Sequence, residues 1–135
     1  MRIRTFAFWI AGVGLLLAAA AASAHHSFAA QYDATKRVTL TGAVTKVEWM
    51  NPHIYFYVDV PDEESGELVS WAFEMGSPNT LIRLGWTRNS LQAGDEVTVE
   101  GSVARDGSHL VNASSVVMTG TGRRMFAGSS EAQER

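Results

Sequence analysis

Apolar–polar alternation from residue 37 onward predicts an all-β domain carrying one short helix. Two further features narrow the class. The alternation slips its phase beside Gly42, which predicts a bulged, sharply bent first strand. The only helix signal falls between the third and fourth strands. This order of elements is that of a five-stranded OB-like Greek-key barrel. A plain antiparallel sandwich is the competing architecture, and the bent strand and the helix position favour the barrel.

The elements follow in order. In "RVTLTGAVTKVEW", Val38, Leu40 and Val44 share one face, whereas Val47 and Trp49 fall on the opposite parity. "HIYFYVDV" places Ile54, Phe56, Val58 and Val60 on one face and His53, Tyr55, Tyr57 and Asp59 on the other. The polar turn "PDEESGE" leads into "LVSWAFEM", where Val69, Trp71, Phe73 and Met75 alternate. Ser77 is placed to cap a helix with Pro78 at its first position, and Gly85 to end it. Val97, Val99 and Val103 alternate in the next strand, Asp106-Gly107 supplies a hairpin turn, and Leu110 to Met118 form the return strand. From Thr119 the chain is rich in glycine, serine and charge. No internal repeat is visible.

The first 24 residues are read apart from the fold. Arg2 and Arg4 precede an almost wholly apolar run from Phe6 to Ala22, and Ala22-Ser23-Ala24 offers the small residues a signal peptidase needs. The run approaches the ~20 residues that span a bilayer, but its alanine-rich end and cleavage site favour a Sec-type signal peptide over an anchor. No cysteine follows for lipidation, and no adjacent arginine pair points to twin-arginine export. The expected organisation is a cleaved signal peptide over 1–24, an N-terminal arm over 25–36, the barrel over 37–119 and a partly disordered tail over 120–135. The expected location is the periplasm, with no membrane-embedded segment after cleavage.

Removing Arg2 and Arg4 from the 11 basic side chains leaves 9 against 14 acidic ones. Such an acidic domain lacks the Lys and Arg excess that holds polyphosphate backbones, so nucleic acid is excluded as a partner. The absence of cysteine removes disulfides and thiol chemistry and leaves packing as the source of stability.

"HHSFAAQYD", "VTLTGAVTKVEWMNPH", "WAFEMGSPN", "GWTRNSL", "GDEVTVEG" and "RRMFAGSS" together resemble DUF6152, a family of small exported bacterial proteins. The resemblance covers essentially the whole chain after residue 24. It implies a periplasmic location and carries no activity with it. His25, His26 and His53 fall in the segments that resemble the family pattern, and His109 lies in a variable turn.

All four histidines follow the cleavage site. Cleavage after Ala24 would leave the α-amine and ring of His25 free to chelate one ion, since a terminal amine deprotonates near ~7.7. His26 offers a competing chelate through the amine, the intervening amide and its own ring. A further imidazole from the body would complete a nitrogen-rich set that suits copper(II), whereas zinc asks for a tetrahedral fourth ligand. His53, between the first two strands, and His109, between the last two, are the candidates, because those connections flank the usual OB ligand face. Phe28 and Tyr32 would anchor the arm. The competing reading makes the terminal pair a mobile polar start, His53 a backbone-bonded corner residue and His109 a solvated turn residue.

Trp49, Tyr55 and Tyr57 form a candidate aromatic platform for a small ligand or a protein partner, or else ordinary strand packing. Arg123 and Arg124, before Met125-Phe126, would bind an acidic partner, or would cover a barrel edge with Phe126 turned inward. Asp62, Glu63, Glu64 and Glu67 match no calcium-loop spacing and read as a solvated hairpin tip. No catalytic Ser–His–acid constellation or phosphate loop stands out. The expected function is a periplasmic binding or accessory module that holds copper through His25. The alternatives are an adaptor docking onto another periplasmic protein through its aromatic face and, less favoured, a copper-dependent oxidase.

Overall fold

The computed structural model describes residues 28–128. The expectations for the signal peptide, for His25 and His26, and for the chain beyond 128 lie outside that range. Residues 28–31 are helical. Six strands follow, with one further helix: β1 (Tyr32–Glu48), β2 (Tyr55–Pro61), β3 (Leu68–Glu74), α1 (Pro78–Arg83), β4 (Glu96–Ala104), β5 (Leu110–Met118) and β6 (Arg123–Phe126).

Five of the strands make a ring. Antiparallel pairings run β3-β2-β1-β4-β5, and a parallel pairing of Ala72–Glu74 with Leu110–Asn112 joins β3 back to β5. This is the OB-like strand order, with α1 between β3 and β4 as expected. The register of β1 on β2 shifts between Val44 and Lys46, just past Gly42. A Cβ on Gly42 would lie 2.2 Å from the Asp59 carbonyl oxygen, so only glycine lets β1 approach β2 this closely.

The alternation read from the sequence is the alternation that packs. Ile54, Phe56 and Val58 are fully buried, as are Phe73, Val97, Val99, Val111 and Val116. Phe56 and Phe73 stack across the β2–β3 pair with centroids 5.1 Å apart. At α1 the Ser77 side chain accepts from the Thr80 N–H at 3.3 Å, and Gly85 leaves the helix at φ 89°. Leu81 fixes the helix to the core.

Two boundaries differ from expectation. The first strand begins at Tyr32 rather than at 37, because Tyr32 already pairs with Ala104 before an irregularity in the ladder. The segment "YDATK" does not alternate, so no period marked it. At the other end, Arg123–Phe126 is not a tail but a sixth strand pairing with Ser115–Met118, the half of β5 that β3 leaves open. The inward residue there is Met125, which is buried, whereas Phe126 points out and is 64% exposed. Alternation permits only one of these neighbours inside, and the β5 register selects Met125.

Candidate functional site

The β2–β3 hairpin register sets Tyr55 directly opposite Glu74, and the β3–β5 pairing sets Glu74 opposite Asn112. The loop ahead of β2 contains a cis Asn51–Pro52 bond, and buried Ile54 exchanges backbone hydrogen bonds with Met75 and Gly76. That pairing holds His53 beside the end of β3. Three strands and one loop thus converge on a single carboxylate.

Glu74 is buried, and among the described residues its side-chain partners are donors. Its Oε2 accepts from the Tyr32 hydroxyl at 2.5 Å and from the Tyr55 hydroxyl at 2.8 Å. Its Oε1 lies 2.8 Å from His53 Nδ1. Burial, followed by the hydrogen bond to Glu74, pushes both phenols well above the ordinary tyrosine range. Both tyrosines therefore stay protonated as donors. The Asn112 side chain also hydrogen-bonds the Tyr32 hydroxyl, and its Oδ1 is buried without a partner among the described residues.

His53 is the one member open to solvent, with its side chain 48% exposed. With Nδ1 engaged by Glu74, the ring presents Nε2, which has no protein partner among the described residues. An imidazole oriented by a carboxylate on one nitrogen and free on the other is the arrangement in which histidine serves as a metal ligand.

The other expected site residues lie elsewhere. His109 packs against Trp71, with ring centroids 4.6 Å apart and the planes tilted by 33°. Trp71 packs against the core, and Glu74, three positions on, lies on the opposite face of the same strand. His53 and His109 therefore serve opposite faces of the sheet and are not brought together. Among the described residues no three His, Cys, Asp or Glu side chains cluster as a metal site by themselves. Tyr57 donates to Glu48 Oε2 at 3.0 Å, with the Lys46 ammonium 5.4 Å from its ring centre. Trp49 packs against the core. Arg124 holds Glu100 at 3.2 Å and the Ser115 hydroxyl at 3.1 Å, and Arg123 is exposed.

Glu74 and Asn112 are the members that no motif indicated. The signal for Glu74 was the hairpin register, since pairing outward from Pro61 and Leu68 brings Tyr55 to Glu74. Nothing comparable marks Asn112, because its neighbour on β3 is a parallel, non-consecutive strand.

A family profile described as a family of unknown function, DUF6152, matches residues 13–112. The chain belongs to this family. The matched span includes His53, Glu74 and Asn112 and stops short of β6. No match is found among curated proteins. Among the described residues no helix is long and apolar enough to cross a membrane.

Proposed function

We propose that the protein is a periplasmic accessory module that binds copper(II), with His53 as the body ligand and the amine and ring of His25 completing the set after cleavage at Ala24. The observation that carries this reading is the His53–Glu74 pair. A buried carboxylate, saturated by donors, fixes the imidazole and leaves its second nitrogen outward. Three nitrogens of this kind suit copper(II) better than the harder divalent cations.

The test is copper(II) titration of the protein beginning at His25, beside a form with one extra alanine ahead of it and beside His53→Ala. The expected result is one-to-one submicromolar binding with a nitrogen-rich electron paramagnetic resonance signal. Binding should be lost on extension and weakened without His53. Weak binding that ignores both changes overturns the proposal. A second reading, an adaptor docking onto another periplasmic protein, draws on one observation: β6 is the terminal strand of the sheet and carries Phe126 64% exposed. Such an adaptor would be indifferent to the N-terminal extension and sensitive to Phe126→Ala.

A further inference from the structure

A second site lies where the ring of strands splits. The β1–β2 ladder ends at Ala43 and Asp59, although β2 runs on to Pro61 in its pairing with β3. Continuing the register would set Pro61 opposite Thr41, and proline has no N–H to offer a ladder. The strands separate there, while Thr39, Leu40 and Thr41 remain paired to β4 on their other side. The result is a cleft of about 690 Å³ between β1 and the β2–β3 hairpin.

The lining of this cleft has a definite chemistry. Leu40 and Val60, both packed on the core, and Val69 give it an apolar floor. Trp71, with the His109 ring tilted against it, makes an aromatic wall. Glu63 and Glu64 stand on the rim, exposed, with no ion-pair partner among the described residues. Asp62, beside them, is occupied by the turn, accepting from the Ser65 N–H at 2.8 Å and from its hydroxyl at 2.9 Å. Among the described residues no Lys or Arg lines the cleft. An apolar pocket of this size with few polar groups is the usual form of a small-molecule site, and mouths of β-rings are a usual place for one.

We propose that this cleft binds a small organic cation with an apolar body, an aryl- or alkylamine, its body on Leu40, Val60 and Trp71 and its ammonium toward Glu63 and Glu64. Aromatic face and carboxylates both favour a positive charge, and the apolar floor rejects a fully hydrated ion. The site shares no residue with the His53–Glu74 cluster and does not depend on copper.

The experiment follows Trp71 and His109 ring signals by nuclear magnetic resonance in the chain beginning at His25, with a chelator present. Phenethylamine, phenethyl alcohol and hydrocinnamate serve as cationic, neutral and anionic probes of one shape. Phenethylamine should give saturable shifts at both rings and bind on the order of tenfold more tightly than the alcohol, with hydrocinnamate weakest. Replacing both rim carboxylates, Glu63→Gln with Glu64→Gln, should erase the preference for charge and leave the alcohol's binding unchanged. Added salt should erode the same preference. His109→Ala, on an exposed turn, tests the aromatic wall without disturbing the core and should weaken all three probes. Equal affinity for the three, a charge preference that survives the double replacement, or no saturable shift at millimolar probe each overturns the proposal. His53→Ala should leave amine binding intact, so failure of the copper reading and failure of this one are told apart.

Discussion

At the scale of single residues the decisive group is Glu74, a carboxylate placed out of water in a strand whose alternate positions build the core. Its burial is tolerated because the Tyr32 and Tyr55 hydroxyls and His53 Nδ1 donate to it. Removing an acceptor from such a set costs more than the net value of its bonds, since the Tyr32 hydroxyl stays buried without it. Glu74→Ala should therefore lower stability by about 3 kcal/mol, read by urea denaturation. Glu74→Gln keeps the volume but offers one acceptor oxygen in place of two. Its fold should survive, and its copper affinity should fall by about tenfold or more through loss of the ring's orientation. A Gln variant that binds copper like the parent would show that Glu74 serves only the fold. The sequence displayed Glu74 merely as a polar residue on the outward parity, because burial on that face depends on which strands meet there.

At the scale of elements, β6 illustrates how a short strand escapes pattern reading. Four residues carry too little alternation to distinguish Met125 from Phe126 as the inward side chain, and the larger aromatic was the natural expectation. The choice is made by pairing with β5, where Val116 stands opposite Met125. Met125→Ala should cost about 2–3 kcal/mol of unfolding free energy, whereas Phe126→Ala should stay within about 0.5 kcal/mol. Parallel denaturation curves give the comparison, and the reverse order would place Phe126 inside. The longer elements were readable because each gave several periods: Ile54 to Val60 in β2 and Val97 to Val103 in β4 showed their inner faces directly. The bend in β1 was readable from its phase slip, although the bulge falls between Val44 and Lys46 and not at Gly42 itself.

At the scale of the molecule, the ring holds all three tyrosines in states that oppose ionisation. Burial raises Tyr32 and Tyr55, with Glu74 adding to it, and the bond to Glu48 raises Tyr57. A group whose folded pKa exceeds its unfolded value gives stability that is present in full below that unfolded value, here 10.0, and lost as pH rises toward the folded one. Stability should accordingly hold to about pH 10 and fall above it. Phenolate absorbance and circular dichroism, followed together in an alkaline titration, should change in one cooperative step. Phenolate appearing near the ordinary value while the fold persists would contradict the bonding described for Glu74 and Glu48.

The sequence by itself determined the all-β class, the order of the strands, the helix between the third and fourth, and most inward-facing residues. Those features rest on local periodicity and on caps and turns, which a few neighbouring residues decide. It also named His53 and Tyr32, although not the partner they share. Only the tertiary structure decided that Glu74 and Asn112 meet them, that His109 faces the other side of the sheet, and that Pro61 parts the ring beside Leu40. Each of these depends on long-range register, above all on the parallel β3–β5 pairing. Register is set by the closing of the whole ring and leaves no mark in any short stretch of chain.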